Sequence, residues 1–165
     1  MEELEEELAR LRGILSALET KCGELEKQIK RVKKDIDDLR EDKTRIRAIV
    51  DSLSEVKTSL NSAGSYIEGA KNNVGKYYND SHNTSDWEKR LAGTQGLANG
   101  SATSCERIKT SGNETIGLID KEIRKKKEDL VEKGKLLDST KEDIEDCKND
   151  IEYVQYQIDH YYDDE

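Results

Sequence analysis

The sequence contains no proline and no phenylalanine, one tryptophan, one methionine, and 33% hydrophobic residues against 39% charged ones. That is poor material for a compact globule with a thick core, and it suits half-buried helices better. Long apolar runs are also missing. No stretch approaches the roughly 20 apolar residues that span a bilayer, so direct membrane insertion is not expected. The opening residues, MEELEEELARL, are acidic and amphipathic, without the basic start and apolar core of a secretory signal. The chain is therefore expected to be made in the cytoplasm and, if it is secreted, to leave without a cleavable signal peptide.

Chemistry-bearing clusters are equally sparse. Cys22, Cys105 and Cys147 lack the paired spacing of a zinc site, and no metal or cofactor is expected. His82 and His160 fall near opposite ends of the expected architecture, and no Ser, His, Cys or carboxylate group recurs at catalytic spacing. With no concave pocket expected on paired helices, the chain does not read as an enzyme. A formal net charge of -9 argues against nucleic acid as a partner, because most of the surface would repel phosphate. The basic run at 124–127 is bounded by Glu122, Glu128 and Asp129 and reads as a solvated helix face. Sequons begin at Asn79, Asn83, Asn99 and Asn113, and the local richness in Asn, Ser and Thr accounts for them.

What the sequence does contain is a heptad frame. An apolar residue recurs every seven positions from Leu4 to Val74, and a second row, from Leu8 through Cys22, Ile36 and Val50 to Tyr78, interleaves with it. The alternating spacing of four and three makes these the d and a rows of a coiled coil. The second half repeats the pattern. Its a row runs from Ile116 to Ile158 in aliphatic residues only, and its d row mixes Ile119, Lys126, Lys133, Thr140, Cys147, Val154 and Tyr161. The expected fold is all-α, a long antiparallel helical hairpin forming a two-stranded coiled coil, with arms each on the order of 120 Å.

Setting the purely aliphatic rows against each other selects a register. Leu11 then meets Ile158, Leu18 meets Ile151, Val50 meets Ile119, Cys22 meets Cys147, and Lys43 faces Lys126. The Cys22–Cys147 pairing raises a disulfide as a hypothesis, with two reduced core cysteines as the other reading. Shifts of seven residues preserve the pattern. The expected organisation is a single hairpin with helix 1 over 3–79, a turn over 80–85 and helix 2 over 86–162. The polar run NDSHNTSD favours a turn, and Ser85 with Glu88 matches a capping box. Eight glycines between 61 and 117 suggest a softer half near the turn, with Gly69 approaching Gly100, Cys105 packing on Gly64, and a break around 93–101 as the competing reading.

Aromatic residues gather at two places. Tyr66, Tyr77, Tyr78 and Trp87 lie around the expected turn, and Tyr153, Tyr156, Tyr161 and Tyr162 near the C-terminal end. Tyr78 and Tyr161 occupy core rows, whereas Tyr77, Trp87 and Tyr162 do not, which makes the latter the better contact candidates.

A helical hairpin without a signal and with a tryptophan at its turn resembles the WXG-type proteins of type VII secretion, most nearly the YwqH-like partners of LXG toxins. Trp87 stands where that family has its turn tryptophan, although the glycine expected two places on is Lys89. Tyr161 to Glu165 fits the family's YxxxD/E export pattern at the end of the chain. The resemblance implies a non-enzymatic targeting factor that binds the N-terminal helical region of a type VII-secreted toxin and helps its export. Its implied partners are an LXG-type toxin and a second small helical protein. Tyr77, Trp87, Tyr161, Tyr162 and Glu165 are the candidate partner-binding or export residues. The alternative is a coiled-coil scaffold or spacer that is not exported. A scaffold should be a stable homo-oligomer alone, while a toxin partner should be monomeric or weakly associated until its toxin is present.

Overall fold

The computed structural model describes residues 2–77 and 82–160. It is an all-α helical hairpin of two helices, α1 (Glu2–Tyr77) and α2 (His82–Asp159). With no proline in the chain, neither helix meets an obligatory break. Glu2, Glu3 and Glu5 place negative charge in the first turn of α1 and Lys76 positive charge in its last, both favourable to the helix dipole. Helix α1 agrees with the expected span to within two residues at each end. Helix α2 starts at His82 rather than near 86, so Ser85 lies inside the helix and the capping box does not form its start. The break considered around 93–101 is absent, since α2 runs through Gly93, Gly96 and Gly100 with no positive φ among the described residues.

The chain divides into two compact units. Unit 1 comprises Met1–Asp38 and Glu122–Glu165. Here the two helices run antiparallel, as the contacts Arg12–Gln155, Glu26–Lys141 and Asp35–Lys126 show by their opposed order. Its core is aliphatic: Leu8, Leu11, Cys147 and Val154 are buried together, with Leu4, Leu15, Leu18, Ile151 and Ile158 packed on them. Burying such side chains contributes about 1.5–3 kcal/mol each. Thr140 is the most buried side chain, at 1% exposure, and its hydroxyl donates to the Leu136 carbonyl at 2.8 Å. That internal bond lets a polar residue occupy a core row without an unmet donor.

Unit 2 comprises Leu39–Lys121. Lys43 pairs with Asp120 and Lys57 with Glu106, again in antiparallel order. Its core is made of smaller groups, with Val50, Ala98, Ala102, Cys105 and Ile116 buried. Gly64 is buried there too, and its close neighbour is Asn99, not Cys105. Neither Gly69 nor Gly100 has a neighbouring side chain or facing backbone within 4 Å of a would-be Cβ, so the expected glycine approach does not occur.

The heptad rows are buried or half-buried as the periodicity requires, from Leu4 to Val74 on α1 and from Ile116 to Ile158 on α2. The register differs from the expected one by a single heptad. Val50 lies against Gly112 instead of Ile119, with a Cβ on Gly112 falling 2.5 Å from Val50 Cγ2. In unit 1, the Cys147 thiol donates to the Leu11 carbonyl at 3.4 Å. The physical reason is visible in the lysines. The expected register set Lys43 against Lys126, whereas here Lys43 has Asp120 and Lys126 has Asp35 at 2.9 Å. Two unpaired ammonium groups about 4 Å apart would repel by roughly 4 kcal/mol at an effective dielectric constant of about 20. Seven residues of slip replace that repulsion with two ion pairs and leave the aliphatic rows in contact.

Two predictions follow from the packing of unit 2. Gly112→Ala should destabilise the protein by about 1–2 kcal/mol in urea unfolding, because overpacking against Val50 outweighs the gain in helix propensity. Gly100→Ala, at an exposed position with open space, should stabilise by about 0.5–1 kcal/mol in the same assay. Equal responses of the two variants would contradict the register.

The ion pairs set a pH dependence as well. The hydrogen bond and charge of Lys57 hold the Glu106 carboxyl below its ordinary pKa. This contribution is present above the ordinary glutamate range and is lost as pH falls through the folded-state value. The hydrogen bond from Lys126 to Asp35 raises the lysine's pKa, so that contribution is present below the ordinary lysine range and is lost as pH rises through the folded-state value. Thermal melts of Lys57→Met should therefore differ from the parent at neutral pH and converge with it in strong acid. A constant difference across that range would show that the substitution acts through packing alone.

Candidate interaction surface

Helix α2 carries Trp87 one residue before Glu88, which continues the heptad row but is exposed and whose carboxylate oxygen lies 3.7 Å from a would-be Cβ on Gly75. That placement turns the indole out of the core, and Trp87 is 59% exposed. Tyr77 closes α1, and its side chain lies outside what is described. Tyr161, Tyr162 and Glu165 also lie outside the described residues. Among the described side chains, Trp87 is the one expected contact residue that the structure locates.

The disulfide is overturned. Cys22, Cys105 and Cys147 are all free thiols, because the heptad slip moves Cys147 to the level of Leu11 and Leu15 and leaves Cys22 half-buried without a thiol partner. The basic run is divided by the helix. Lys126 turns inward to Asp35, while Arg124 and Lys127 border a shallow hollow with Glu128 and Val131.

The sequence-based list missed a set of exposed apolar residues in unit 2. Ile49, Val56 and Tyr66 on α1 and Leu97, Ile108 and Leu118 on α2 range from 48% exposed at Val56 to 81% at Tyr66. Each immediately precedes a core position. In an antiparallel pair, the positions before the core rows of both helices line one flank, and those after them line the other. All six therefore share a flank, and Trp87 stands on it as well.

The contrast between the two flanks is chemical. The positions preceding the core rows, from Ile49 to Asn73, read Ile, Ser, Val, Ser, Ala, Tyr, Ala, Asn; those from Thr94 to Leu118 read Thr, Leu, Ser, Ser, Ile, Ser, Thr, Leu. In a chain that is 39% charged, none of them carries a charge. The positions following the core rows hold Asp51, Glu68, Glu106 and Asp120 instead and no large apolar side chain. The polar groups on the apolar flank make few demands on solvent. Ser52, Ser59, Thr94, Ser104 and Thr115 each donate a hydroxyl to the carbonyl four residues back in their own helix, at 2.9–3.1 Å. Covering them leaves no donor stranded. The signal was present in the sequence, but it appears only when the pre-core rows are read apart from the core rows.

Among the described residues, no group of His, Cys, Asp and Glu side chains could hold a metal ion, and no helix is long and apolar enough to cross a membrane. No protein-family model, curated protein or solved structure matches the chain.

Because the thiols are free and separated, adding a reductant to oxidised, air-exposed monomeric protein should leave the thermal midpoint unchanged. A drop of several degrees on reduction would restore the intramolecular disulfide, whose loss typically costs about 2–5 kcal/mol.

Proposed function

We propose that the chain is a non-enzymatic helical binding partner that docks a helical segment of another protein along the flank of unit 2 that is uncharged over residues 49–73 and 94–118. The observation that supports this reading is the coincidence of six exposed large apolar residues with an absence of charge over residues 49–73 and 94–118 of the same rows. Large apolar side chains gathered on one flank and flanked by no charge make that flank a candidate interaction site. A pair of antiparallel helices offers a seat for the apolar stripe of a third, the arrangement in which helix-in-groove recognition works.

The finer form of the reading follows the resemblance to YwqH-like proteins. The partner would be the N-terminal helical region of a type VII-secreted toxin, accompanied by a second small helical protein, and Trp87 would extend the contact towards Tyr77. The export role of Tyr161, Tyr162 and Glu165 belongs to the same proposal. A scaffold that is never exported is the competing function.

Affinity purification of a tagged chain from its native cells and culture medium, followed by mass spectrometry, tests the reading. A co-purifying protein with a helical N-terminal region, present in medium as well as cells and lost when Ile108 and Leu97 are both replaced by Glu, is the expected result. Recovery from cells alone, with no other protein attached, would sink the secretion reading and leave the scaffold.

A further inference from the structure

The flank that would receive the partner is uncharged over residues 49–73 and 94–118, five of its hydroxyls are bonded within their own helices, and exposing its apolar side chains carries a standing cost in water. Large side chains offer on the order of 150–250 Å² each when fully exposed. At the exposures found here, the six apolar residues leave roughly 700 Å² of side-chain surface in water. That approaches the roughly 800 Å² that each partner contributes to a stable interface of standard size.

We propose that, when the partner is absent, this flank is covered by the same flank of a second copy of the chain, in a reversible two-fold dimer that the partner must displace. The inference deepens the function proposed above and rests on its reading of the flank as a docking surface. Three observations choose a second copy as the occupant. The exposed area is close to what one partner contributes to a stable interface.

Charge comes next. Each chain carries a formal charge of -9, so two copies repel wherever their acidic faces meet. The flank following the core rows presents Asp51, Glu68, Glu106 and Asp120, with lysine partners on Glu106 and Asp120. The preceding flank, over residues 49–73 and 94–118, meets its own copy without like charges in opposition, and Asp42, Arg45 and Arg90 lie beyond that stretch. It also has no cluster of basic residues of the kind that draws a helix to an anionic lipid surface, Arg107 standing alone beside Ile108.

Shape is the third. A two-fold contact must be self-complementary, with protrusions and recesses on one surface. Here Ile49, Val56, Leu97 and Ile108 protrude between serines and alanines, and a shallow hollow opens beside Ile108, lined by Ser104, Arg107 and Ser111. Two such hairpins laid flank to flank make a four-helix arrangement, the usual way in which paired helices bury a second apolar stripe. The serine and threonine hydroxyls already bonded to their own helices remain satisfied in it.

Sedimentation equilibrium on the purified full-length chain, kept reduced and run over a thousandfold range of concentration, tests the proposal. A monomer–dimer equilibrium is expected. The double variant Val56→Glu, Ile108→Glu should raise its Kd at least a hundredfold, with helicity by circular dichroism unchanged. A control on the opposite flank, Thr58→Glu with Thr103→Glu, should leave the Kd within about twofold. A monomer at every concentration, a dimer indifferent to the flank variant, or a dimer weakened equally by the control would each overturn the proposal. None of those results bears on whether a partner co-purifies from cells, so the dimer and the partner reading fail separately. If the partner binds the flank, adding it should convert dimer into heterocomplex, and a ternary assembly that retains the dimer would also overturn the displacement.

Discussion

Of the lysines that occupy rows the heptad frame reserves for apolar side chains, three direct the ammonium to a carboxylate on the facing helix, Lys43 to Asp120, Lys57 to Glu106 and Lys126 to Asp35, while Lys133 pairs with Asp129 of its own helix. Exposed pairs of this sort contribute little to stability, typically 0–1 kcal/mol each. Their influence is on choice. A row of leucines and isoleucines is indifferent to a slip of seven residues, because every apolar layer finds another apolar layer. A lysine in a core row is not indifferent, since it needs a carboxylate within reach of its four-carbon stem. The register follows from those few polar positions, while the aliphatic rows supply most of the binding energy between the helices.

The same division explains what could be read from the sequence. Both helices, their antiparallel pairing and the identity of the core rows follow from spacing alone, since buried and half-buried positions coincide with the heptad rows from Leu4 and Leu8 onward. The register did not follow, because matching pure rows weighs only apolar contacts. Asp35, Glu106 and Asp120 beside the core rows held the missing information, as did Gly112, which alone leaves room for Val50. The Cys22–Cys147 disulfide fell with the register. Trp87 was legible as a contact candidate because it stands off the core rows. Ile49, Val56, Leu97, Ile108 and Leu118 were not, because a search for aromatic anchors passes over isolated aliphatic residues. What marks them is the silence of their neighbours, and an absence of charge is visible only along a row.

Both flanks of unit 2 border one core and belong to the same two helices, yet they differ in the chemistry they can perform. One carries acidic groups and the ion pairs that fix register. The other carries large apolar side chains among small hydroxyl-bearing residues that are already bonded within their helices. Separating the polar contacts that specify the hairpin from the apolar surface available to another molecule means that substitutions for binding and substitutions for folding can be made on different rows. A two-helix molecule has few other ways to keep those roles apart, because it has no enclosed interior in which to hide either.

The small side chains in the core of unit 2 carry a further consequence for the energetics of recognition. Alanine, glycine and cysteine at Ala98, Ala102, Cys105 and Gly112 bury far less surface per layer than the leucines and isoleucines of unit 1. Amide groups there should exchange with solvent through local openings of lower free energy, independent of global unfolding. A ligand that binds only the closed form adds its own binding free energy to such a segment, by an amount that grows with the logarithm of its concentration. Occupancy of the flank would then be felt as slowed exchange throughout unit 2. The thin core would make unit 2 the part of the molecule whose stability depends most on company.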